Sequence, residues 1–88
     1  MVQVELGMKV RLKLFASFRQ IFNASEIDYE LPDGSTARDL LDDLFARYPE
    51  LQRFKGHVIV TINRQASPLT ANIRPGDEVA ILPPVSGG

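Results

Sequence analysis

Apolar and polar residues alternate along residues 9–15, with Val10, Leu12 and Leu14 on one side and Arg11, Lys13 and Phe15 on the other. That period of two predicts a strand with one buried face. Phe15 stands out because it shares its side with charges. A weaker alternation precedes it, Val2, Val4 and Leu6 with Gln3 and Glu5, ending at Gly7. This stretch admits two readings: a leader placed before an original start at Met8, or a genuine edge strand. Residues 16–25 form a connection in which a short helical turn holds Phe18, Ile21 and Phe22 against the core. Ile27, Tyr29 and Leu31 then alternate with Asp28 and Glu30, as a half-exposed antiparallel strand does. Pro32-Asp33-Gly34 closes it with turn chemistry: Pro fixes φ, Asp bonds its own backbone, and Gly supplies positive φ.

The clearest segment follows. Ser35 or Thr36 caps a helix, with Asp39 completing a capping box after Thr36. Ala37, Leu40, Leu41, Leu44, Phe45 and Tyr48 fall on one continuous stripe. Arg38 with Asp42, and Asp43 with Arg47, make i,i+4 pairs on the wet side, and Pro49 stops the helix. Residues 58–62, Val-Ile-Val-Thr-Ile, are apolar on both faces and rich in β-branched side chains, which predicts an interior strand. Asn63-Arg64-Gln65 reads as a turn, Leu69 and Ile73 as apolar plugs in an irregular stretch, and Arg74-Pro75-Gly76-Asp77 as a tight turn. Residues 78–82 are the last strand. One helix covering one face of a mixed sheet of four to five strands is an α+β fold in two layers.

Composition narrows the chemistry. At 88 residues the chain is one domain, and its 44% hydrophobic and 24% charged content are ordinary for a folded protein. A net charge of −1 disfavours a nucleic-acid partner held by phosphate contacts. The absence of cysteine removes disulfides, thiolate metal sites and cysteine nucleophiles. His57 is the single histidine, with no ligand cluster near it in sequence, so no metal site is expected. No serine sits in a Gly-x-Ser-x-Gly setting, and no glycine-rich phosphate loop occurs. The Asp42-Asp43 doublet does not place two carboxylates face to face on a helix and reads as solvated surface. The first residues lack the basic and apolar regions of a signal peptide, and no stretch approaches a membrane span, so a cytoplasmic location is expected. As an enzyme in its own right the chain is poorly equipped.

What remains is the end. Pro83-Pro84-Val85-Ser86-Gly87-Gly88 follows the apolar run of residues 79–82. Two prolines end the strand and stiffen the exit, and two glycines then remove every side chain. Six extended residues reach roughly 20 Å, far enough to carry the terminal carboxylate into a narrow cleft on another protein. The plain alternative is a frayed terminus. The chain thus divides into residues 1–7, a domain over 8–82, and a carrier tail over 83–88.

The tail, with Pro75-Gly76-Asp77-Glu78-Val79 before it, resembles the MoaD/ThiS family of ubiquitin-like sulfur carriers, and within it the small subunits of molybdopterin synthase. The opening run of residues 10–19 and the Val60-Thr61-Ile62-Asn63 segment are similar to that family as well. The resemblance implies a ubiquitin-like β-grasp fold with the first and last strands paired in parallel at the sheet centre. It implies that the Gly88 carboxylate is adenylated and then converted to a thiocarboxylate, while Pro83, Pro84, Val85, Ser86 and Gly87 thread a partner's channel. The implied partners are an E1-like adenylating enzyme using ATP with magnesium, a sulfur donor such as a cysteine desulfurase, and a molybdopterin synthase large subunit in a heterotetramer with two copies of each. No cofactor is implied on this chain itself. Phe15 and Leu82 would be docking contacts on the sheet face opposite the helix, with Arg19 and Arg64 at its polar rim. Other sulfur acceptors, attachment to lysines as a protein modifier, and a plain interaction domain are the alternatives.

Overall fold

The computed structural model describes residues 7–54 and 56–83. Most of the leader, Lys55, and the tail residues Pro84, Val85, Ser86, Gly87 and Gly88 lie outside the described residues. The elements in order are β1 (Gly7–Leu14), α1 (Ser17–Phe22), β2 (Glu26–Pro32), α2 (Ala37–Arg47), a 3-10 segment (Pro49–Phe54), β3 (Ile59–Ile62), β4 (Gln65–Ala66) and β5 (Glu78–Leu82). The strands form one sheet in the order β2-β1-β5-β3-β4. β1 and β5 run parallel, with Leu12 opposite Val79 and Leu14 opposite Ile81, and every other pairing is antiparallel. This is the ubiquitin-like β-grasp expected from sequence, with β5 at the centre.

The core lies between the sheet and α2. Met8, Val10, Leu12 and Leu14 of β1 are all buried, as are Tyr29 and Leu31 of β2, Val60 of β3, and Val79 and Ile81 of β5. Ala37, Leu40, Leu41, Leu44 and Phe45 of α2 are buried against them, and Tyr48 packs at the margin. Burying a side chain such as Leu44 or Phe45 contributes about 1.5–3 kcal/mol, so the stripe fixes how α2 lies on the sheet. Thr36 caps α2 as expected: its side chain accepts from the Asp39 amide at 3.2 Å, and Asp39 accepts from the Thr36 amide at 2.9 Å. α1 delivers Phe18 into the core, where its ring meets Phe54 edge-on at 5.0 Å, while Phe22 stacks obliquely on Tyr48 at 4.4 Å. The helical turn expected over residues 16–25 is this element.

Three expectations are corrected. Residues 58–62 are not buried on both faces: Ile59 remains 48% exposed and only Val60 is fully inside. β3 is an interior strand as expected, flanked by β5 and the two-residue β4, but the sheet has a helix layer on one side alone, so Ile59 faces outward with Thr61. Leu69 is 38% exposed and is not a plug, unlike Ile73, which is buried. Leu69 contributes its backbone instead: its carbonyl accepts from the Arg38 amide at 2.9 Å and the Ala71 carbonyl accepts from the Ala37 amide at 3.0 Å. The irregular stretch thereby satisfies two of the amides that every helix leaves unpaired at its start. Finally, Asp43 is not simply solvated. It accepts a hydrogen bond from the Tyr29 hydroxyl and pairs with Arg47 at 3.1 Å, and that guanidinium lies over the Tyr29 ring.

Two outcomes follow from this packing. Thr36→Ala removes half of the capping box and should lower unfolding stability by about 1 kcal/mol, measured by urea denaturation. Burial, and then the Asp43 carboxylate, push the Tyr29 phenol well above its ordinary value. The neutral phenol is therefore favoured in the folded state. Its contribution is intact below about pH 10, where an unfolded tyrosine ionises, and declines as pH rises further. Tyr29→Phe should flatten that alkaline loss while lowering stability at pH 7 by about 1 kcal/mol; an unchanged alkaline slope would refute the assignment.

Candidate functional site

Residues in register across neighbouring strands share a sheet face, and successive residues alternate faces. With Leu12, Leu14, Val79 and Ile81 facing α2, the opposite face carries Lys9, Arg11 and Lys13 of β1, Glu26, Asp28 and Glu30 of β2, Glu78, Ala80 and Leu82 of β5, and Ile59 and Thr61 of β3. This open face has two unlike halves. On the β2 side it is ionic: Arg11 pairs with Glu26 and, at 3.4 Å, with Asp28. On the β5–β3 side it is largely apolar, and here a groove of about 390 Å³ is lined by Lys13, Phe15, Thr61, Arg64, Glu78, Ala80 and Leu82.

Ala80, 7% exposed, forms the floor with Thr61 beside it in register. A larger residue than alanine there would fill the groove. Phe15 lies one residue beyond the end of β1 and is 42% exposed, and Leu82 ends β5. The aromatic that broke the charge pattern of β1 thus becomes a wall of the groove. The structure brings Phe15, Leu82 and Arg64 together there. Arg19 is exposed on α1 and does not line it. Pro83 follows Leu82 directly, so the chain leaves the sheet at the groove's apolar end.

The other end is held by Asn63, which the pattern places in a turn and the family resemblance places at the close of a strand. β3 and β4 join through Asn63 and Arg64, both with positive φ of 52° and 72°, the two-residue hairpin turn whose twist matches the strands. The Asn63 amide donates to the Glu78 carbonyl at 2.7 Å, its side-chain oxygen accepts from the Glu78 amide at 3.0 Å, and its side-chain nitrogen donates to Asp77 at 3.1 Å. Asn63 therefore ties the hairpin to the start of β5. Glu78 in turn forms ion pairs with Lys13 at 3.3 Å and Arg64 at 3.7 Å. An asparagine directly after a strand was the available signal, since Asn tolerates the positive φ that Asn63 adopts.

Other hollows hold less chemistry. One of about 430 Å³ between α2 and β3 is mostly apolar, with Leu41, Phe45, Val58 and Leu69 in its wall. Another, of about 480 Å³, gathers Asp33, Asp39, Asp42 and Asp43 beside β2. Asp39 is engaged in the helix cap and Asp43 with Tyr29. Among the described residues no group of three or more His, Asp or Glu could hold a metal ion, and no helix is long and apolar enough to cross a membrane. His57 is exposed before β3. The Gly88 carboxylate, the one reactive group singled out from sequence, lies outside the described residues.

Known proteins match this arrangement. The ThiS family profile matches residues 12–88. The molybdopterin synthase sulfur carrier subunit of Arabidopsis thaliana is 31% identical over 82 residues, covering 93% of this chain and 85% of that protein. The crystal structure of SAMP1 from Haloferax volcanii superposes with a TM-score of 0.75 at 31% identity, covering 91% of this chain and 99% of that one. The solution structure of the Haloferax volcanii HVO 2177 protein superposes with a TM-score of 0.85 at 29% identity, covering all of this chain and 93% of that one. A match from β1 to the terminal Gly-Gly, joined to a β-grasp sheet with a central parallel pair, makes this chain a member of the ThiS family of ubiquitin-like sulfur carriers.

Proposed function

We propose that this chain is the sulfur-carrying small subunit of a molybdopterin synthase, with Gly88 as its reactive end. The observation that carries the reading is the junction at Leu82: the central strand of the sheet leads into Pro83 and the segment Pro-Pro-Val-Ser-Gly-Gly at the apolar end of the groove. The names borne by several relatives, sulfur carrier subunits of molybdopterin synthase at 30–34% identity, support it.

The chemistry follows from what a terminal carboxylate lacks. At neutral pH it is ionised, with an ordinary pKa of about 3.3–3.7, and is a poor electrophile. A carboxylate oxygen of Gly88 attacks the α-phosphorus of ATP, bound with magnesium on an E1-like adenylating enzyme, and pyrophosphate leaves. A persulfide supplied through a donor such as a cysteine desulfurase then displaces AMP to give an acyl disulfide. A thiol reductant cleaves its S–S bond, leaving a disulfide and a thiocarboxylate. That soft nucleophile passes its sulfur to a pterin precursor in the synthase large subunit, in an assembly with two copies of each chain. Five residues beyond Pro83 extend at most about 17 Å, so the domain must dock close to each partner's active site. The groove walled by Phe15 and Leu82 is the docking surface, and Gly87 and Gly88 pass where a side chain would not.

A second reading shares the activation step and changes the acceptor. It is favoured by the likeness to small archaeal modifier protein 1 of Haloferax volcanii. There an amine would attack the adenylate and leave an amide bond between this chain and a lysine.

Intact-mass spectrometry tests the proposal. With its cognate adenylating enzyme, ATP and a sulfur source, the chain should exchange one terminal oxygen for sulfur. Deleting Gly88, or appending one residue after it, should abolish the exchange without changing the circular dichroism spectrum. Activation followed by amide adducts alone would favour the modifier reading. A chain that stays unmodified beside a demonstrably active partner would overturn both.

A further inference from the structure

The ionic end of the groove is built unlike the rest of the open face. On the β2 side Arg11 is served by two carboxylates, Glu26 and Asp28. In the groove the ratio is inverted, because Lys13 and Arg64 share the single carboxylate of Glu78. Arg64 holds the looser share, with its side chain 81% exposed and its nearest contact at 3.7 Å. An exposed pair of that kind contributes little, so the guanidinium is open to a second anion. Its backbone is also unfavourable for arginine. At φ 72° it occupies the second position of the hairpin turn, where glycine fits without strain and a residue with a Cβ does not. The hairpin would fold more easily with glycine there, so the retained side chain points to a role outside folding.

We infer that Arg64 is a partner-reading residue: the groove receives a segment of the adenylating partner that carries an apolar side chain followed, about 13 Å away, by a carboxylate. The distance is the rise of β5 from Glu78 to Leu82 at about 3.3 Å per residue. The apolar group seats between Phe15 and Leu82, the carboxylate meets Arg64, and Lys13 retains Glu78. A segment bound at both ends has one direction along the strand, and this directs the tail towards the partner's active site. The inference rests on the sulfur-carrier reading and adds to it the chemistry of the docking segment.

The test is pyrophosphate release by the cognate adenylating enzyme with ATP, measured against concentration of this chain at low and high salt. Arg64→Gly should fold at least as stably as the parent, yet raise the KM for the chain about fivefold at low salt. Its KM should lose most of the salt dependence that the parent shows. Arg64→Lys should recover both. Phe15→Ala should raise KM while leaving the salt dependence intact. An Arg64→Gly chain with parental KM and parental salt dependence overturns the assignment while the sulfur-carrier reading stands. A parent chain that elicits no pyrophosphate release from an active enzyme overturns both.

Discussion

Everything in this fold depends on the parallel pairing of β1 with β5. It joins segments from opposite ends of the described chain, Arg11 to Leu14 with Glu78 to Ile81, and parallel strands need a long crossover between them. The helices, β2 and β3 all belong to that crossover. Once Leu12 lies beside Val79, each even-numbered residue of β1 faces α2 and each odd-numbered one faces out. A slip of one residue would turn Val10, Leu12 and Leu14 into solvent. The same register that fills the core also places Lys13 beside Ala80 and brings Phe15 to the groove. Core and groove are two faces of a single alignment.

The open face is divided more sharply than composition suggests. Its β2 side is a ladder of opposite charges in register, Lys9 with Glu30, Arg11 with Asp28 and Lys13 with Glu26. Such an edge resists association with other strands. The β5–β3 side instead exposes Ile59 and Phe15. Monomeric proteins seldom leave contiguous apolar surface uncovered without a use for it, and here that surface adjoins the point where the chain departs. The Asn63 bonds to Glu78 and Asp77 fix the far end of that surface, tying the β3–β4 hairpin to the start of β5.

Much of this was legible in the residues. The stripe on α2, its Thr36–Asp39 cap and the alternation of β1 read directly, because helix and strand periods are local properties of the sequence. The limits of β5 did too, since Asp77 and Pro83 bracket a short apolar run. Less legible was anything requiring knowledge of what lies on the far side of the sheet. Residues 58–62 look fully buried by composition, yet Ile59 faces out, because the number of layers is a tertiary fact. Leu69 looked like a core residue and instead supplies a carbonyl to the start of α2. β4 is two residues long and has no pattern to find. The groove itself was half visible: Phe15 was conspicuous among charges, whereas the role of Asn63 depends on Glu78 arriving beside it from a distant part of the chain.

The position of β5 has a consequence for when this protein becomes competent. The strand at the middle of the sheet is also the last of the described strands to be made, so the sheet cannot close before residues 78–82 have left the ribosome. Ala80 and Leu82, which shape the groove, become a surface in the same event that completes the core. A chain broken off before Glu78 would lose the groove together with its fold. A chain without residues 78–82 therefore keeps neither the parallel pair that completes the sheet nor the groove beside it.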